Sequence, residues 1–381
     1  MSTNLHTFFQ DLQWRGIIAN SANLENFYQL KPEEKVIYLG IDCTGESLHI
    51  GHLFLYLQAV RFAQAGFQIL LVLGGATSKI GDPSDKLKER PLLEASQIED
   101  YQKKIKSQLE RILIRPKKIE EVNFAPLELF FSDNQELLKN IYNILEIKKE
   151  DRTEKKWEKY LEYIWPLKEN KFRILNNDDW LGKLTLIDFN KIGQNISVNY
   201  LLSKETIKQR VNSETGLSFL AFSYSLLQAY DFYYLYENYK CHGQLGGSDQ
   251  WGNLTTGLKL IRSFYPENKT FVFTLNLLTD KGGKKFSKSG SSENILWLNS
   301  AKKDFFNFFS NMTDEQVKVY IKQFTFLRER QIEELIKLNA KSPKLRILQR
   351  VLYELIYWLN YGGVKEIIYK IKLMMTEYQS K

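Results

Sequence analysis

The chain has 381 residues, of which 43% are hydrophobic and 26% charged, a balance that is typical of globular proteins and excludes a disordered or fibrous chain. The formal net charge of +8 fits a polyanionic partner such as RNA, although it also reflects a lysine-rich composition. Because no apolar run is long enough to span a membrane, the two cysteines are too few for a disulfide framework, and no targeting peptide is visible, we expect a cytoplasmic protein without membrane association.

The first predicted elements are two short helices between residues 5 and 28, followed by a strand, a loop and a helix. The β-branched and apolar run 36–41 predicts the strand, and the long apolar segment 50–66 predicts the helix. His49 and His52 are three residues apart, so both lie on the same side of the first helical turn. Unpaired backbone N–H groups and the helix dipole attract anions there, which predicts a position for the phosphates of a nucleotide.

Two other interpretations of this helix start remain open. One is an ordinary helix start in which one histidine caps the helix and the other packs. The other is a zinc site, because His-x-x-His can bind zinc when further ligands converge. Its candidate ligands are Cys43, His49, His52 and either Cys241 or His242.

A second apolar strand at 67–73 runs into the glycine-rich segments 74–77 and 80–84, and a strand, helix and strand with such an exit form half of a doubly wound nucleotide-binding fold. Residues 95–115 follow as a helix. The segment 115–173 mixes charge runs with aromatic residues. Within it, the spacing of Trp157, Tyr160, Leu161 and Ile164 predicts an amphipathic helix that packs on this subunit or on a partner.

Residues 217–238 predict a buried helix, since the segment is apolar nearly all round. Tyr224, Gln228 and Asp231 lie on one of its faces and need polar partners, either a ligand or an internal hydrogen-bond network. A strand at 241–245, a loop at 246–253 and a helix at 254–264 then repeat the earlier plan. A strand at 271–278 precedes a mobile basic loop at 279–292, and from residue 301 the pattern is wholly helical.

Two motifs and the loop 246–253 carry a resemblance to a known family. His49-Ile-Gly-His52 is identical to the first signature of class I aminoacyl-tRNA synthetases, and Lys285-Phe-Ser-Lys-Ser289 resembles the second, with Phe286 in place of methionine. Most of residues 5–375 is similar to bacterial-type tyrosyl-tRNA synthetases. The resemblance implies a Rossmann-type, doubly wound parallel sheet in an α/β catalytic domain at 1–298, with an enlarged insertion at about 115–173. An α-helical anticodon-side domain at 299–381 and a homodimer are implied as well.

The implied reaction activates tyrosine with ATP to tyrosyl-adenylate and transfers the tyrosyl group to the 3′ end of tRNA(Tyr). The implied catalytic residues are His49, His52, Thr44, Lys285, Lys288, Lys86 and Arg90. The implied tyrosine-binding residues are Tyr38, Asp82, Tyr224, Gln228, Asp231 and Gln250. The implied ATP- or adenylate-binding residues are Gly40, Asp42, His49, Gly51, His52, Gly247, Asp249 and Lys288. Mg²⁺ would enter with ATP, and no protein-bound metal is expected.

The chain also departs from the family pattern. Cys43 stands where the family usually has proline, and Asp85 stands where it usually has glycine; both adjoin phosphate-binding positions. The chain stops where most relatives add a small C-terminal RNA-binding domain, so we expect its basic catalytic face and helices 301–381 to bind tRNA. A paralogue that binds RNA or regulates without catalysis is the remaining alternative.

Overall fold

The computed structural model describes residues 4–82, 93–113, 131, 133–146, 171–212, 216–278 and 295–361. The chain divides into two compact units. The first unit comprises Met1–Leu48, Arg61–Leu109 and Lys171–Leu277, and the second comprises His49–Val60, Glu110–Asn170 and Leu278–Lys381.

One mixed sheet of six strands lies in the described part of the first unit. Its strands are β1 (Ile18–Ala22), β2 (Val36–Asp42), β3 (Gln68–Gly74), β4 (Phe172–Asn176), β5 (Gly243–Gly247) and β6 (Phe271–Leu275), in the order β1-β6-β5-β2-β3-β4. The strands from β6 to β4 are parallel, and β1 pairs antiparallel with β6 at the edge. The strand order reverses between β2 and β5, and such a switch point places the ligand crevice at the carboxyl ends of the strands.

Helices pack on the sheet and form most of the described part of the second unit. Within the described ranges they are α1 (Leu5–Trp14), α2 (Leu24–Tyr28), α3 (Ile50–Gln64), α4 (Ala95–Leu113), α5 (Gln135–Ile144), α6 (Asp178–Leu181), α7 (Leu186–Gly193), α8 (Val198–Leu202), α9 (Glu205–Val211), α10 (Phe219–Tyr239), α11 (Trp251–Phe264), α12 (Lys302–Ser310), α13 (Asp314–Phe324), α14 (Glu329–Lys341) and α15 (Ile347–Tyr361). The α/β class with following helices, expected from the sequence, is confirmed.

A buried apolar cluster connects the sheet to α10 and α11. Tyr38 and Val272 from the sheet pack with Phe232 of α10 and Leu254 of α11. In the second unit, α15 packs against α12, α13 and α14, and its residues Leu348, Leu352 and Leu355 are buried. No helix in the described ranges has the length and apolar character needed to cross a membrane.

Two strands differ from the sequence expectation. The second short helix expected before residue 28 is α2, but β1 precedes it, and β4 begins at Phe172, within the segment assigned to the insertion. Both are five-residue edge strands with partly exposed side chains, so neither shows a clear alternation of buried and exposed residues. Their neighbours β6 and β3 supply the hydrogen bonds that define them.

Several predicted features lie outside the described residues. They are the amphipathic helix with Trp157, Tyr160, Leu161 and Ile164, the departure at Asp85, the basic residues Lys86 and Arg90, and the loop 279–292 with Lys285, Phe286 and Lys288.

Candidate active site

A chain of hydrogen bonds crosses the carboxyl ends of three neighbouring strands in the first unit. Asp42 ends β2, Thr77 follows β3, and Asn177 follows β4. The Thr77 hydroxyl donates to Asp42 Oδ1 at 2.9 Å and accepts from Asn177 Nδ2 at 3.1 Å. The Tyr224 hydroxyl, from α10, donates to Asp42 Oδ2 at 3.0 Å. Asn177 Nδ2 also donates to Asp231 Oδ2 at 3.1 Å, so the chain connects strand ends to the buried face of α10.

Asp231 is a buried carboxyl group, with only 4% of its surface exposed. Its Oδ1 accepts a hydrogen bond from Trp180 Nε1 at 2.7 Å, in addition to the bond from Asn177. The pKa of Asp231 is raised to about 7: burial raises it most and the charge of Asp42 also raises it, while the hydrogen bonds from Asn177 and Trp180 lower it. The group therefore changes its protonation state near neutral pH, instead of near the usual 3.8.

The Tyr38 hydroxyl and Oε1 of Gln228 are among the buried polar atoms that have no hydrogen-bond partner in the described part of the chain. The side chain of Tyr38 is 1% exposed, whereas Gln228 is partly exposed although its Oε1 is buried. Burial, together with the charges of Asp231 and Cys241, raises the pKa of Tyr38 well above its usual value, so the phenol stays neutral. A buried polar atom without a partner costs about 1–3 kcal/mol, which makes both atoms candidates for binding a polar ligand.

A second hydrogen-bond network lies after β5, in the same unit. Gln250 Nε2 donates to Asp82 Oδ2 at 2.6 Å and to Asp249 Oδ2 at 3.0 Å. Gln250 Oε1 accepts from Asn253 Nδ2 at 3.1 Å, and Asn253 Oδ1 accepts from the Ser225 hydroxyl at 2.7 Å. The network thus fixes the side chain of Gln250 between two carboxylates.

Glycines leave room beside these groups. Gly40 is the exposed residue in the middle of β2, and a Cβ there would meet only Tyr38, with Cε2 at 3.9 Å. A Cβ at Gly74 would collide with the side chains of Asp42 and Thr77, and a Cβ at Gly247 would collide with the Asp249 carboxylate. There is therefore free space above Gly40, whereas polar side chains pack tightly against Gly74 and Gly247.

The loop after β2 is held by its backbone. The Cys43 N–H donates to the Ser78 hydroxyl at 2.7 Å, and Thr44 follows in a half-buried position. The family usually has proline at this position. A proline has no backbone N–H, so it could not make the hydrogen bond that Cys43 makes to Ser78.

The two signature histidines lie in the second unit, at the start of α3. His49 Nδ1 accepts a hydrogen bond from the Gly51 N–H, and His52 Nδ1 accepts one from the His49 N–H, both at 3.1 Å. Because Nδ1 of each ring is an acceptor, the proton of each neutral imidazole lies on Nε2. A Cβ at Gly51 would lie 2.9 Å from Cε1 of His49, so a glycine at this position lets the ring turn back onto the helix start. Both histidines thus accept a backbone N–H through Nδ1, whereas the ordinary helix-start interpretation has one histidine capping and the other packing. Each Nε2–H is a potential donor.

The zinc alternative finds no ligand set in the described residues, since none of their His, Cys, Asp and Glu side chains form a group of three suited to a metal ion. His242 Nδ1 contacts the Lys240 carbonyl oxygen at 2.7 Å. The thiol of Cys241 is buried and donates to the Gly243 carbonyl at 3.3 Å. These contacts are those of packed side chains.

The predicted site residues therefore fall into three groups. Eleven lie in the first unit: Tyr38, Gly40, Asp42, Thr44, Asp82, Tyr224, Gln228, Asp231, Gly247, Asp249 and Gln250. Three lie in the second unit: His49, Gly51 and His52. Four lie outside the described residues: Lys86, Arg90, Lys285 and Lys288.

Sequence reasoning missed three members of the network, Thr77, Asn177 and Trp180. The sequence pattern indicates no role for the segment 176–182, whereas Asn177 and Trp180 both donate hydrogen bonds to Asp231. The available signal was the group of polar residues directly before a tryptophan, whose ring nitrogen needs an acceptor when it is buried.

Comparison with known proteins gives a consistent result. Residues 31–370 match the family model for class I tRNA synthetases of the tryptophan and tyrosine type. The chain is 38% identical to tyrosine–tRNA ligase 1 of Bacillus cereus over 348 residues, which cover 90% of this chain and 70% of the relative. It is 37% identical to tyrosine–tRNA ligase of Geobacillus stearothermophilus over 357 residues, covering 92% and 72%.

Solved structures show the same fold. A C-terminally truncated mitochondrial tyrosyl-tRNA synthetase from Aspergillus nidulans superposes with a TM-score of 0.70 at 24% identity, covering 93% of this chain and 90% of that one. Tyrosyl-tRNA synthetase of Archaeoglobus fulgidus, solved with L-tyrosine, superposes with a TM-score of 0.57 at 14% identity, covering 93% and 98%. The chain therefore belongs to the class I tRNA synthetases for tryptophan and tyrosine, and within them to the bacterial-type tyrosine–tRNA ligases.

Proposed function

We propose that the chain performs the tyrosine–tRNA ligase reaction in two steps with the residues described above. In the first, the carboxylate of tyrosine attacks the α-phosphate of ATP and pyrophosphate leaves. In the second, the tyrosyl group passes to the 3′-terminal adenosine of tRNA(Tyr). The observation that supports the assignment is the buried Tyr38 hydroxyl, which has no partner among the described residues although Asp231 lies close enough to shift its pKa.

The phenol of tyrosine fits this end of the site. Its hydroxyl can donate to the Asp231 carboxylate and accept from Tyr38. The ammonium group of the substrate has three donors, which fit Asp82, the Tyr224 hydroxyl and Oε1 of Gln228. Gln228 Oε1 is buried without a donor in the described ranges, so an incoming N–H group would remove its desolvation penalty.

The nucleotide-binding residues that the family implies lie at the strand ends of the first unit and at the start of α3 in the second unit. We assign Gly40, Asp42, Gly247 and Asp249 to the adenylate and its ribose, with Gln250 near the substrate carboxylate. Adenylate formation develops charge on phosphate oxygens, so positioned donors accelerate it without a nucleophilic side chain. Such donors would be Nε2–H of His49 and His52 with Thr44, and, outside the described residues, Lys86, Arg90, Lys285 and Lys288.

Mg²⁺ would arrive with ATP. It would be bound mainly by the phosphates and by water. When bound, it would neutralise phosphate charge.

Exchange of labelled pyrophosphate into ATP tests the assignment. We expect exchange with tyrosine and little with phenylalanine or tryptophan. Asp231→Ala should lower the ratio of the tyrosine to the phenylalanine kcat/KM by about 10- to 100-fold, as expected from the loss of a hydrogen bond to a charged acceptor. Asp188→Ala, on a carboxylate outside the network, is the control. A chain that binds tRNA(Tyr) but shows no tyrosine-dependent exchange would instead be a non-catalytic paralogue.

A homodimer is the second part of the proposal, and an exposed apolar surface on the helices of the first unit supports it. Helices α7, α8, α10 and α11 pack around one buried cluster that includes Ile192, Leu201 and Leu260. On the solvent side of the same helices, large apolar residues are exposed: Leu186 74%, Ile187 68%, Val198 58% and Phe219 76%. Large apolar residues that are exposed on helices sharing one buried cluster favour an interface, and a second copy of the chain is the partner that the family implies.

Sedimentation of Phe219→Asp tests the dimer. Burying an unpaired carboxylate in an apolar interface is costly, so this variant should sediment as a monomer at concentrations where the wild type is dimeric. Val319→Asp places the same charge on α13 at a residue that is 48% exposed, and it should leave the dimer intact. Equal sedimentation of all three proteins would remove this surface from the interface.

The location and the domain limits stay predictions. We place the protein in the cytoplasm and assign 1–298 to the catalytic domain, with its insertion at about 115–173, and 299–381 to the anticodon-side domain. Cell fractionation would test the first, and limited proteolysis with mass mapping of the fragments would test the second.

A further inference from the structure

We propose that Ser78 is a positioning residue for adenylate formation, because its hydroxyl fixes the loop that carries Thr44; this inference rests on the proposed function. Ser78 lies in the short 3₁₀ helix Thr77–Lys79 that follows β3, and it is 4% exposed. Its Oγ accepts a hydrogen bond from the Cys43 N–H at 2.7 Å, and Cys43 is fully buried. Cys43 is the first residue after β2 and directly precedes Thr44.

Two consecutive residues after β3 hold two consecutive residues at the end of β2. Asp42 pairs with Gly74 in the parallel ladder, so the two strands end side by side. The Thr77 hydroxyl then donates to Asp42 Oδ1 at 2.9 Å, and the Ser78 hydroxyl accepts from the Cys43 N–H. Thr77 binds a side chain, whereas Ser78 binds the backbone. The bond to Ser78 therefore acts on the direction of the chain immediately before Thr44.

The 3₁₀ helix that carries Ser78 is itself fixed. Asn177, which is 1% exposed, accepts from the Ala76 N–H through Oδ1 at 2.9 Å and donates to the Thr77 hydroxyl through Nδ2 at 3.1 Å. The segment before Ser78 is thus attached to the residue that follows β4. A side chain whose own support is held by hydrogen bonds can orient the group that it contacts, so Ser78 can orient the backbone at Cys43.

The far end of the same loop is held from α4. Gln108 Oε1 accepts from the Leu48 N–H at 2.8 Å, and its Nε2 donates to the Ser47 hydroxyl at 2.8 Å. The loop 43–48 is therefore held at both ends by side chains of the first unit. Thr44 lies next to the end held by Ser78 and four residues from Leu48, so its position depends chiefly on Ser78. Displacing a stabilising group by about 1 Å can lower a rate by about 10²-fold.

Ser78→Ala removes the hydroxyl and keeps the rest of the side chain. We expect kcat for pyrophosphate exchange to fall by about 3- to 10-fold, the range that corresponds to one hydrogen bond. The KM for tyrosine should stay unchanged, because Thr44 is assigned to the phosphates and not to the amino acid. In a Thr44→Ala background the same substitution should change kcat by less than about 2-fold, since groups that act as a unit are not additive.

Proline at position 43 provides a test that a serine with a merely structural role would not pass. Asp42 is a strand residue, and an extended backbone suits the residue before a proline. The proline ring places a carbon where the N–H lies, however, and the Ser78 hydroxyl is only 2.7 Å from that nitrogen. The ring and the hydroxyl therefore exclude each other. Glycine at position 78 removes both the hydroxyl and the Cβ that the ring would meet.

The experiment measures melting temperature and pyrophosphate exchange for Cys43→Pro, for Ser78→Gly and for the double variant, with exchange measured well below every melting temperature. We expect each single variant to lower both the melting temperature and kcat. The double variant should exceed both single variants in both measurements, because the fixed φ of proline replaces the restraint that the lost hydrogen bond supplied. Effects that simply add would overturn the inference.

Two variants serve as matched controls. Ser223 is another buried serine of the first unit, and its hydroxyl donates to the Leu220 carbonyl within α10 at 2.8 Å. Cys43→Ala removes the thiol but keeps the N–H that binds Ser78. Ser223→Ala and Cys43→Ala should both keep kcat within about 2-fold of the wild type, less than the loss of one hydrogen bond at a catalytic position.

The outcomes separate this inference from the proposed function. If the wild type activates tyrosine and Ser78→Ala keeps its kcat, the inference is wrong while the proposed function stands. An equal fall in kcat with and without Thr44 would also overturn it, because Ser78 would then not act through Thr44. If the wild type shows no tyrosine-dependent exchange, the proposed function fails and the inference fails with it.

Discussion

Asp231 shows how one buried side chain makes the stability of the fold depend on pH. Its pKa is raised from 3.8 to about 7, chiefly by burial. Between these two values the native state holds a proton that the unfolded chain has already lost. The contribution of Asp231 to the free energy of unfolding is therefore complete below about pH 4. It decreases as the pH rises towards 7 and changes no further above that pH.

Asp231→Asn tests this dependence, because asparagine does not titrate. We expect the free energy of unfolding of the wild type, measured with urea, to fall relative to that of the variant as the pH rises from about 4 to about 7. The substitution also changes the hydrogen bonds to Asn177 and Trp180, which shifts the free energy of unfolding by an amount that does not depend on pH. Comparing the slopes of the free energy against pH, instead of its absolute values, cancels that shift. Parallel profiles would show that Asp231 ionises at its usual pKa.

His52 is a second single residue whose two ring nitrogens have different roles that can be tested separately. Its Nδ1 accepts from the His49 N–H, and we assign its Nε2–H to the phosphates. His52→Asn replaces the Nδ1 acceptor, and His52→Gln places an amide nearer to Nε2. We expect His52→Asn to keep the melting temperature but to slow adenylate formation by about 10²- to 10³-fold, in line with losing a preorganised donor.

His52→Gln should retain more activity than His52→Asn, and the affinity for tyrosine should be unchanged in both variants. Pre-steady-state adenylate formation measures this, and equal rates for wild type and His52→Asn would exclude the phosphate role.

At the scale of the element, the start of α13 shows how local sequence fixes a helix boundary. Thr313 Oγ1 accepts from the Gln316 N–H at 3.2 Å, and Gln316 Oε1 accepts from the Thr313 N–H at 3.1 Å, which is a reciprocal capping box. Thr313→Ala should lower the free energy of unfolding by about 1 kcal/mol, and Thr313→Ser should leave it nearly unchanged. Urea unfolding measures both, and a serine variant as unstable as the alanine variant would assign the effect to the lost methyl group.

Helix α10 shows the limit of local pattern at this scale. The segment is apolar nearly all round, so the sequence predicted that the helix is buried. Ala229, Phe232 and Leu235 are indeed fully buried. Its first residues, Phe219 and Leu220, are exposed, which the hydrophobic pattern could not distinguish from the buried ones. Exposure depends on which elements pack against a residue, and these are set by the whole fold.

At the scale of the whole molecule, the formal charge of +8 chiefly affects the binding of tRNA, the polyanionic substrate. Each phosphate neutralised by the protein contributes about 0.7–0.9 to the slope of log affinity against log salt. We expect the KM for tRNA(Tyr) to rise steeply with potassium chloride. Pyrophosphate exchange, which needs no tRNA, should change little over the same range and serves as the internal control. A flat salt dependence of charging would mean that phosphate contacts contribute little to tRNA binding.

The sequence alone determined the elements whose signals are local. The strand β2, the loop and the start of α3 follow from an apolar run that breaks at small polar residues and resumes at His49. The face of α10 that carries Tyr224, Gln228 and Asp231 follows from helical spacing. The motifs at 49–52, 246–253 and 285–289 identified the family, which the comparisons confirm.

Only the tertiary structure decided which distant residues satisfy one another. The edge strands β1 and β4 exist because β6 and β3 offer unpaired backbone groups. Asn177 and Trp180 became part of the site because they follow β4 and meet a carboxylate 54 and 51 residues later in the chain. Gln244 is one glutamine among many in the sequence, and only the structure shows that it pairs with Tyr38 in the sheet and that its amide is buried without a partner in the described ranges. Hydrogen-bond satisfaction in a buried site depends on contacts between sequentially distant segments, and local sequence patterns do not encode those contacts.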